Sequence, residues 1–329
     1  MKEGMVLSIR KVTLFGAGLI GSGWLTSLIS CGTVSVTVYD LNEEALERCR
    51  KRALDALKLL INHGILAEHE VERRMACVSF TTDLPGALRE ADMIQENCPE
   101  SPELKQAVLK EIEENCRPDS IICTSTSGIL IGQIIKNAIH PERVIGAHPY
   151  HPVYLMPLVE LIRSEKTDER YLRAAFDFYK SIGKEPIILK KECPGYIGSH
   201  LMSALFRECV NLISQGVGTM EDIETAFCYG PGLRYALIGP CTVLQLAGGE
   251  RGLAGTLFGE IGCSGKNWME SFANWTAYPP ETEPFFQSCQ DEMNEFMKRR
   301  DSIHGKNNAE IEQFRDEGLI KLLQHHGKL

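Results

Sequence analysis

The length, composition and charge of the chain limit what it can be. It has 329 residues, of which 43% are hydrophobic and 24% are charged. These values are ordinary for a globular protein and exclude a mainly disordered, collagenous or fibrous chain. No apolar run reaches the roughly 18 residues that a membrane helix needs, and the formal net charge of -9 disfavours non-specific binding to nucleic acid. We therefore expect neither a membrane nor a nucleic-acid partner.

The twelve cysteines are scattered along the chain and form no C-x-x-C motif. The first apolar stretch is interrupted by Arg10 and Lys11, which is not typical of a signal peptide. A chain of this size without secretion features is expected to keep its thiols reduced. We therefore predict a cytoplasmic protein with free cysteines and no metal site.

The first part of the chain alternates between strand-like and helix-like patterns. Strand candidates rich in apolar and β-branched residues lie at 11–16, 35–40, 76–80, 91–98, 120–126, 143–148, 157–162 and 185–191. Amphipathic helices are predicted at 20–31, 41–64 and 102–116. This alternation is typical of an α/β domain with a mostly parallel sheet and helices on both faces.

The pattern changes after Cys193, Pro194 and Gly195, and a Pro-Gly pair often marks a boundary. Beyond it, helical patterns cover 196–216, 219–228, 241–257, 282–300 and 307–325. We therefore predict two domains, an α/β domain over 1–192 and an all-helical domain over 193–329.

A glycine motif follows the first predicted strand. Gly16, Gly18 and Gly21 form G-x-G-x-x-G between a strand and a helix, and Asp40 ends the next strand. In dinucleotide-binding loops the first glycine permits a tight turn, the second admits the pyrophosphate, and the third lets helix and strand pack closely. An acid about 20 residues further on binds the adenosine ribose and would repel the 2′-phosphate of NADP. The motif predicts a bound dinucleotide, and the acid favours NAD over NADP. FAD uses a similar loop, so the motif alone leaves both NAD and FAD possible.

A histidine and a glutamate lie on the two strands joined by a proline-containing turn. If these strands pair as a hairpin centred near Tyr154, His148 and Glu160 fall opposite each other, and opposed residues on antiparallel strands can touch. A carboxylate-held histidine is a good general base, because the free imidazole titrates at about pH 6.5 and the acid stabilises the imidazolium. A purely structural His–Glu pair is the alternative.

Two serines follow the strand at 120–126. Ligands gather at the carboxyl ends of strands in open parallel sheets, so Ser125 and Ser127 could hydrogen-bond a substrate oxygen. They could equally cap the helix that follows, and the residues alone leave both possibilities open.

These motifs together resemble the 3-hydroxyacyl-CoA dehydrogenase superfamily, and within it the lambda-crystallin branch of L-gulonate 3-dehydrogenases. The likeness runs over most of the chain. The segments that show it are FGAGLIGSGW with YD, IQENCPESPELK, GAHPYHPVYLMPLVEL, PGYI, GPGLRYALIGP and FRDEGLIKLL.

The resemblance implies a Rossmann-type NAD-binding domain followed by a helical domain that forms a homodimer. It implies oxidation of a hydroxyl group β to a carboxyl group or thioester, with His148 as the base, Glu160 as its partner and Ser127 at the substrate hydroxyl. Cofactor contacts, besides the glycines, are implied at Leu19, Ile20, Asp40, Glu100 and Lys105.

The chain departs from the family at two positions, since His151 and Ser199 stand where asparagine is usual. Both are predicted to contact substrate, and their replacement bears on substrate identity more than on reaction type. Arg234 is a candidate clamp for a substrate carboxylate, because guanidinium can make two parallel bonds to it. A salt bridge within the helical domain or across a dimer is the alternative role.

The favoured function is NAD-dependent oxidation of the 3-hydroxyl of a small, L-gulonate-like 3-hydroxy acid. A coenzyme A ester is less favoured, because only Arg73 and Arg74 lie among the acids between the long helix and the next strand. L-carnitine is another alternative, for which an aromatic cage could form from Tyr150, Tyr154, Trp268 and Trp275. A non-enzymatic NAD(H)-binding regulator or structural protein is the remaining one.

Overall fold

The computed structural model describes residues 8–258, 269–274 and 284–329, apart from the side chains of Phe285 and Phe286. The chain divides into two compact units. One comprises residues 1–200 with 328–329, and the other comprises residues 201–327. The predicted boundary between 192 and 193 stays a prediction.

An eight-stranded sheet forms the centre of the first unit. Its strands are β1 (Lys11–Phe15), β2 (Ser35–Tyr39), β3 (Val78–Thr81), β4 (Met93–Glu96), β5 (Ile121–Thr124), β6 (Val144–Pro149), β7 (Leu158–Ile162) and β8 (Glu185–Ile188). They lie in the order β3-β2-β1-β4-β5-β6-β7-β8. Among these described strands, only the β6–β7 pairing is antiparallel. The predicted Rossmann-type, mostly parallel sheet is confirmed.

Helices connect these strands and cover the sheet. They are α1 (Leu19–Cys31), α2 (Glu43–Asn62), α3 (Glu68–Met75), α4 (Leu84–Leu88), α5 (Pro102–Asn115), α6 (Ile131–Ile134) and α7 (Glu169–Ser181). The sequence patterns predicted α1, α2 and α5. The side chain of Asn42 caps α2 by accepting from the amides of Glu44 and Ala45, and the side chain of Ser101 caps α5, as expected for helix starts.

Two apolar clusters lie against the sheet. One joins buried strand residues such as Leu14 and Val38 to Trp24 and Leu25 of α1. The other joins Ile94 and neighbouring strand residues to α4, α5 and α6. Strands β4 and β5 are buried along their whole length, as expected for central strands of a parallel sheet that helices cover on both faces.

The second unit is helical in its described residues. Helix α8 (Gly198–Ser214) leads into it, followed by α9 (Met220–Cys228), α10 (Pro231–Leu237), α11 (Pro240–Ala247), α12 (Gly252–Phe258), α13 (Pro284–Arg299) and α14 (Asn308–His325). The single helix predicted over 241–257 is wrong, because Gly249 and Gly252 have φ of +57° and +55° and divide α11 from α12. The predicted start at 282 lies outside the described residues.

The cysteines of the described residues are all free, and Cys49 and Cys123 are buried in the first unit, while Cys263 lies outside the described residues. Within the same residues, no helix is long and apolar enough to cross a membrane.

Candidate active site

The glycine motif forms the turn from β1 into α1. Gly16 has a φ of +101°, a conformation that side chains disfavour, and its amide donates to the carbonyl of Tyr39 at 2.8 Å. A Cβ atom at Gly21 would lie 2.1 Å from the carbonyl oxygen of Gly16. Both positions therefore require glycine.

Asp40 ties the end of β2 to the glycine turn. Its carboxylate accepts from the amide of Ala17 at 2.9 Å and from the amide of Asn42 at 3.1 Å. Each carboxylate oxygen can accept a second hydrogen bond. The acid is therefore fixed in place and can still receive the hydroxyl groups of a ligand.

A cavity of about 650 Å³ opens at this edge of the sheet. It lies where the strand order reverses between β1 and β4, which is the usual ligand position in an open α/β sheet. Its lining includes Phe15, Gly16, Gly18, Leu19, Ile20, Tyr39, Asp40, Leu41, Asn97, Cys98, Pro99, Glu100, Leu104, Ser125 and Ser127. Most of the predicted cofactor contacts therefore line one cavity.

The residues of this cavity fit NAD. A Cβ atom at Gly18 would meet nothing within 4 Å, so the backbone there is open to a close approach by phosphate. The amino end of the 13-residue helix α1 supplies unpaired amides for an anion. Asp40 places a negative charge that suits ribose hydroxyls and opposes a 2′-phosphate.

Glu100 organises the loop that carries Ser127. One of its oxygens accepts from the hydroxyl of Thr126 at 2.7 Å and from the amides of Ser127 and Gly128 at 2.8 and 3.0 Å. The hydroxyl of Ser127 has no hydrogen-bond partner among the described residues, and Ser127 lines the cavity. It is therefore available to a ligand.

Lys105 is buried rather than exposed to the cavity. Its ammonium lies 2.9 and 3.0 Å from the two oxygens of Glu96, and 3.8 Å from Glu100. Its predicted contact with the cofactor stays a prediction, and its observed role is to hold these two acids.

Ser125 is half-buried and belongs to a hydrogen-bond network. Its hydroxyl accepts from Trp24 Nε1 at 3.1 Å and from Gln95 Nε2 at 2.8 Å, and it donates to Asn97 Oδ1 at 2.8 Å. Tyr179 donates to Gln95 at the far end. The hydroxyl of Ser125 is thus fully used, and of the two serines only Ser127 is free to bind substrate.

His148 and Glu160 lie opposite each other in the antiparallel β6–β7 pair, as the predicted hairpin register requires. His148 Nδ1 is 2.9 Å from Glu160 Oε2, and both residues are buried. The predicted contact is confirmed, whereas its catalytic role stays a prediction. His148 does not line the cavity; it lies on the strand next to β5, whose carboxyl end carries Ser125 and Ser127.

Glu160 is held at both of its oxygens. Oε1 accepts from the amides of Ile197 and Gly198 at 2.9 and 3.1 Å, and Oε2 accepts from His148 and from the hydroxyl of Tyr150. Burial alone would raise the pKa of Glu160, but the hydrogen bonds from His148, Gly198 and Ile197 lower it below its ordinary value. The acid is therefore a carboxylate at neutral pH.

The predicted substrate contacts lie in different places. His151 is exposed on the turn after β6, Ser199 hydrogen-bonds Tyr150, and Arg234 is exposed on α10 of the helical unit. Their binding roles stay predictions. Of the proposed aromatic cage, Trp268 and Trp275 lie outside the described residues.

Sequence reasoning missed several groups at this edge. Asn97 and Cys98 line the cavity, and Glu96 receives Lys105 and Thr124. Glu96, Asn97 and Cys98 end or follow β4, the strand next to β1. Their position at a strand end beside the glycine turn was the available signal.

Comparison with known proteins agrees with this arrangement. Residues 11–193 match the family model of the 3-hydroxyacyl-CoA dehydrogenase NAD-binding domain. Residues 195–285 match that of the 3-hydroxyacyl-CoA dehydrogenase C-terminal domain. The two matches follow each other as the predicted α/β and helical domains do.

The curated relatives include L-carnitine dehydrogenases. That of Bacillus cereus is 38% identical over 96% of this chain and 92% of its own length. That of Staphylococcus epidermidis is 35% identical over 95% of this chain and 92% of its own length. The predicted closeness to the lambda-crystallin branch stays a prediction.

Two solved structures extend the likeness. One is 5-formyl-3-hydroxy-2-methylpyridine 4-carboxylic acid 5-dehydrogenase, an NAD⁺-dependent dismutase. It has a TM-score of 0.75 and 27% sequence identity, and the match covers 97% of this chain and 98% of that chain. The other is (S)-3-hydroxybutyryl-CoA dehydrogenase from Ralstonia eutropha, with a TM-score of 0.64, 28% identity and coverage of 73% and 83%. The chain therefore belongs to the 3-hydroxyacyl-CoA dehydrogenase family of NAD-dependent oxidoreductases.

Proposed function

We propose that the protein oxidises the 3-hydroxyl group of a small 3-hydroxy carboxylic acid to the 3-keto acid, with His148 as general base. The contact of 2.9 Å between His148 Nδ1 and Glu160 carries this proposal. Cofactor binding alone does not need a buried histidine held by a carboxylate, whereas removal of a hydroxyl proton does.

The chain's own residues provide proton removal and orientation. In the neutral imidazole, Nδ1 carries the proton and donates it to Glu160. Nε2 is therefore free to accept a hydrogen bond from the substrate hydroxyl. Ser127 orients the same hydroxyl, and the carboxylate of Glu160 stabilises the imidazolium that forms. Bound NAD supplies the acceptor for the hydride that leaves C3. The O–H and C–H bonds break while the C=O bond forms.

A free acid is favoured over a coenzyme A ester. Arg74 is not available to a phosphate, because its guanidinium donates to the carbonyls of Ile29 and Ser30 and pairs with Glu70. Of the two arginines in that segment, this leaves Arg73 to meet a phosphate. L-carnitine, the substrate named for the relatives, is the first candidate, and an L-gulonate-like sugar acid is the second.

We further propose a homodimer formed through the helical unit. Four neighbouring apolar side chains of α8 are exposed, namely Leu201, Met202, Leu205 and Phe206. A contiguous exposed apolar patch often marks a protein–protein interface. Sedimentation at low and high protein concentration tests this, and a monomer at all concentrations would contradict it.

The substrate proposal is tested by NADH absorbance with L-carnitine, L-gulonate and 3-hydroxybutyryl-CoA. We expect turnover of at least one free acid at a kcat/KM at least about tenfold above that for the ester. His148→Gln should lower kcat by about 10²–10⁴-fold while the dissociation constant for NADH stays within about twofold. A variant that keeps normal turnover would overturn the role of His148.

A further inference from the structure

Glu160 receives one side-chain contact that the proposed proton transfer does not use. The hydroxyl of Tyr150 lies 3.2 Å from Glu160 Oε2, the same oxygen that accepts from His148 Nδ1. The rings of Tyr150 and His148 also pack together, with centroids 4.8 Å apart. Tyr150 therefore contacts both members of the pair.

The hydroxyl remains a donor over the range in which histidine titrates. Burial raises the pKa of Tyr150 to about 12, although hydrogen bonding with Ser199 opposes the increase. A neutral phenol donating to a carboxylate disperses part of its negative charge. Less charge is then available to stabilise a proton on the imidazole.

The backbone before α8 is shaped to admit this hydroxyl. A Cβ atom at Gly198 would lie 1.9 Å from the Tyr150 hydroxyl oxygen. The amide of the same glycine donates to Glu160 Oε1. Gly198 thus serves the carboxylate twice, once through its own amide and once by leaving room for Tyr150.

We propose that Tyr150 is a positioning residue that acts through Glu160: its hydroxyl shares Oε2 with His148 and limits how strongly the carboxylate holds a proton on the imidazole. The inference rests on the proposed function, in which the neutral imidazole is the working form for oxidation. Tyr150 would then keep His148 neutral at a lower pH than Glu160 alone would allow.

Few other titratable groups surround the pair among the described residues. Tyr196 packs on His148 with ring centroids 5.5 Å apart, but its hydroxyl donates to the carbonyl of Ile129. Glu100, Glu192 and, to a smaller extent, Glu160 act electrostatically on Tyr196. On the other side, β8 places Ile187 opposite Glu160. Tyr196 is therefore a matched control, since its ring packs on His148 but its hydroxyl hydrogen-bonds Ile129 and not Glu160.

The test compares Tyr150→Phe with Tyr196→Phe. The titration midpoint of the His148 ring signals is measured by NMR on the full-length protein without substrate, and the signals are assigned by their loss in His148→Gln. We expect Tyr150→Phe to move the midpoint up by about one pH unit and Tyr196→Phe to leave it within about 0.2 unit of wild type. An unchanged or lowered midpoint in Tyr150→Phe, or equal shifts in both variants, would overturn the inference.

A second variant covers the case in which Tyr150→Phe does not fold. Gly198→Ala keeps the backbone amide and displaces the Tyr150 hydroxyl, so the midpoint should again move up. Activity separates this inference from the proposed function. If His148→Gln keeps full turnover, the proposed function fails whatever the midpoints are; if it is inactive and the midpoints do not move, only the inference fails.

Discussion

The carbonyl oxygen of Gly16 lies 2.1 Å from where a Cβ atom on Gly21 would stand, so helix α1 can leave the turn only if residue 21 is glycine. Gly18, three residues earlier, has no atom within 4 Å of its own Cβ position. The two glycines of the same motif are thus required for different reasons, one for the fold and one for the ligand.

Alanine substitutions should separate these reasons. Gly21→Ala should lower Tm by several degrees, because the turn must shift to relieve the overlap. Gly18→Ala should keep the Tm of the ligand-free protein and weaken NADH binding by about tenfold or more, since the methyl group occupies the phosphate approach. Thermal denaturation and fluorescence titration measure the two effects. Equal losses of Tm in both variants would contradict the distinction.

Asp40 should determine the choice between NAD and NADP. In Asp40→Asn the negative charge is lost, so KM for NAD should rise about tenfold while KM for NADP falls, because a hydrogen bond to a charged group contributes about 1.5–3 kcal/mol. Initial rates with each cofactor at a saturating substrate concentration measure this. Asp40→Glu, which keeps the charge, is the control. An unchanged NAD-to-NADP ratio in the asparagine variant would refute the role.

Lys184 is a buried amine without a carboxylate partner among the described residues. Its Nζ atom donates to the carbonyls of Val153 and Met156 and lies 5.6 Å from the ring centroid of Trp24. Burial lowers the pKa of Lys184 to about 7. The loop between β6 and β7 is therefore fixed by a group that loses its charge near neutral pH.

The stability of the protein should report this titration. Below about pH 7 the amine is protonated in both folded and unfolded chains, so the cost of burying the charge is fully present. Between about pH 7 and 10 only the unfolded chain binds the proton, and the free energy of unfolding rises by about 1.4 kcal/mol per pH unit from this group. Lys184→Met lacks this contribution.

Urea denaturation of wild type and Lys184→Met at pH 7 and pH 9 measures the difference. From pH 7 to pH 9 the free energy of unfolding of the wild type should rise by about 2 kcal/mol more than that of Lys184→Met. Cysteine and tyrosine titrations are common to both proteins and cancel. A difference that does not depend on pH would show that Lys184 keeps an ordinary pKa.

Arg234 should raise affinity for a free carboxylate if it is the substrate clamp. Arg234→Met should then raise KM for an active hydroxy acid by about tenfold or more, with kcat changed far less, because the charge binds ground state and transition state alike. Steady-state kinetics with the best acid from the substrate panel measures this. Unchanged KM would leave Arg234 with a structural role in the helical unit.

The sequence predicted the sheet and the histidine pair because both depend on strong periodic signals. The apolar strands and the glycine turn predict the sheet. Once the turn near Tyr154 is recognised, the spacing from His148 to Glu160 predicts which residues of the two strands lie opposite each other. The interruption at Gly249 was not predicted, since glycines within apolar helical patterns are often tolerated.

Side-chain networks were less predictable than strands. Ser125 and Ser127 look equivalent in sequence, but only the structure shows that Trp24, Gln95 and Asn97 use the first hydroxyl. Lys105 likewise looks like a surface lysine on a helix, but its ammonium reaches Glu96 inside the fold. Such contacts join residues that no local pattern in the sequence connects.

The antiparallel step at β6–β7 has a consequence for how this enzyme can change over evolution. Strand pairing places residue 148 against residue 160. A shift of this pairing by one residue would bring Leu161 or Val159 opposite the imidazole, so a change in the length of the loop keeps the pair only if the loop absorbs it. Substitution of the exposed His151 leaves this register unchanged. Side-chain exchanges in this loop therefore conserve the geometry of the pair, whereas changes in its length put that geometry at risk.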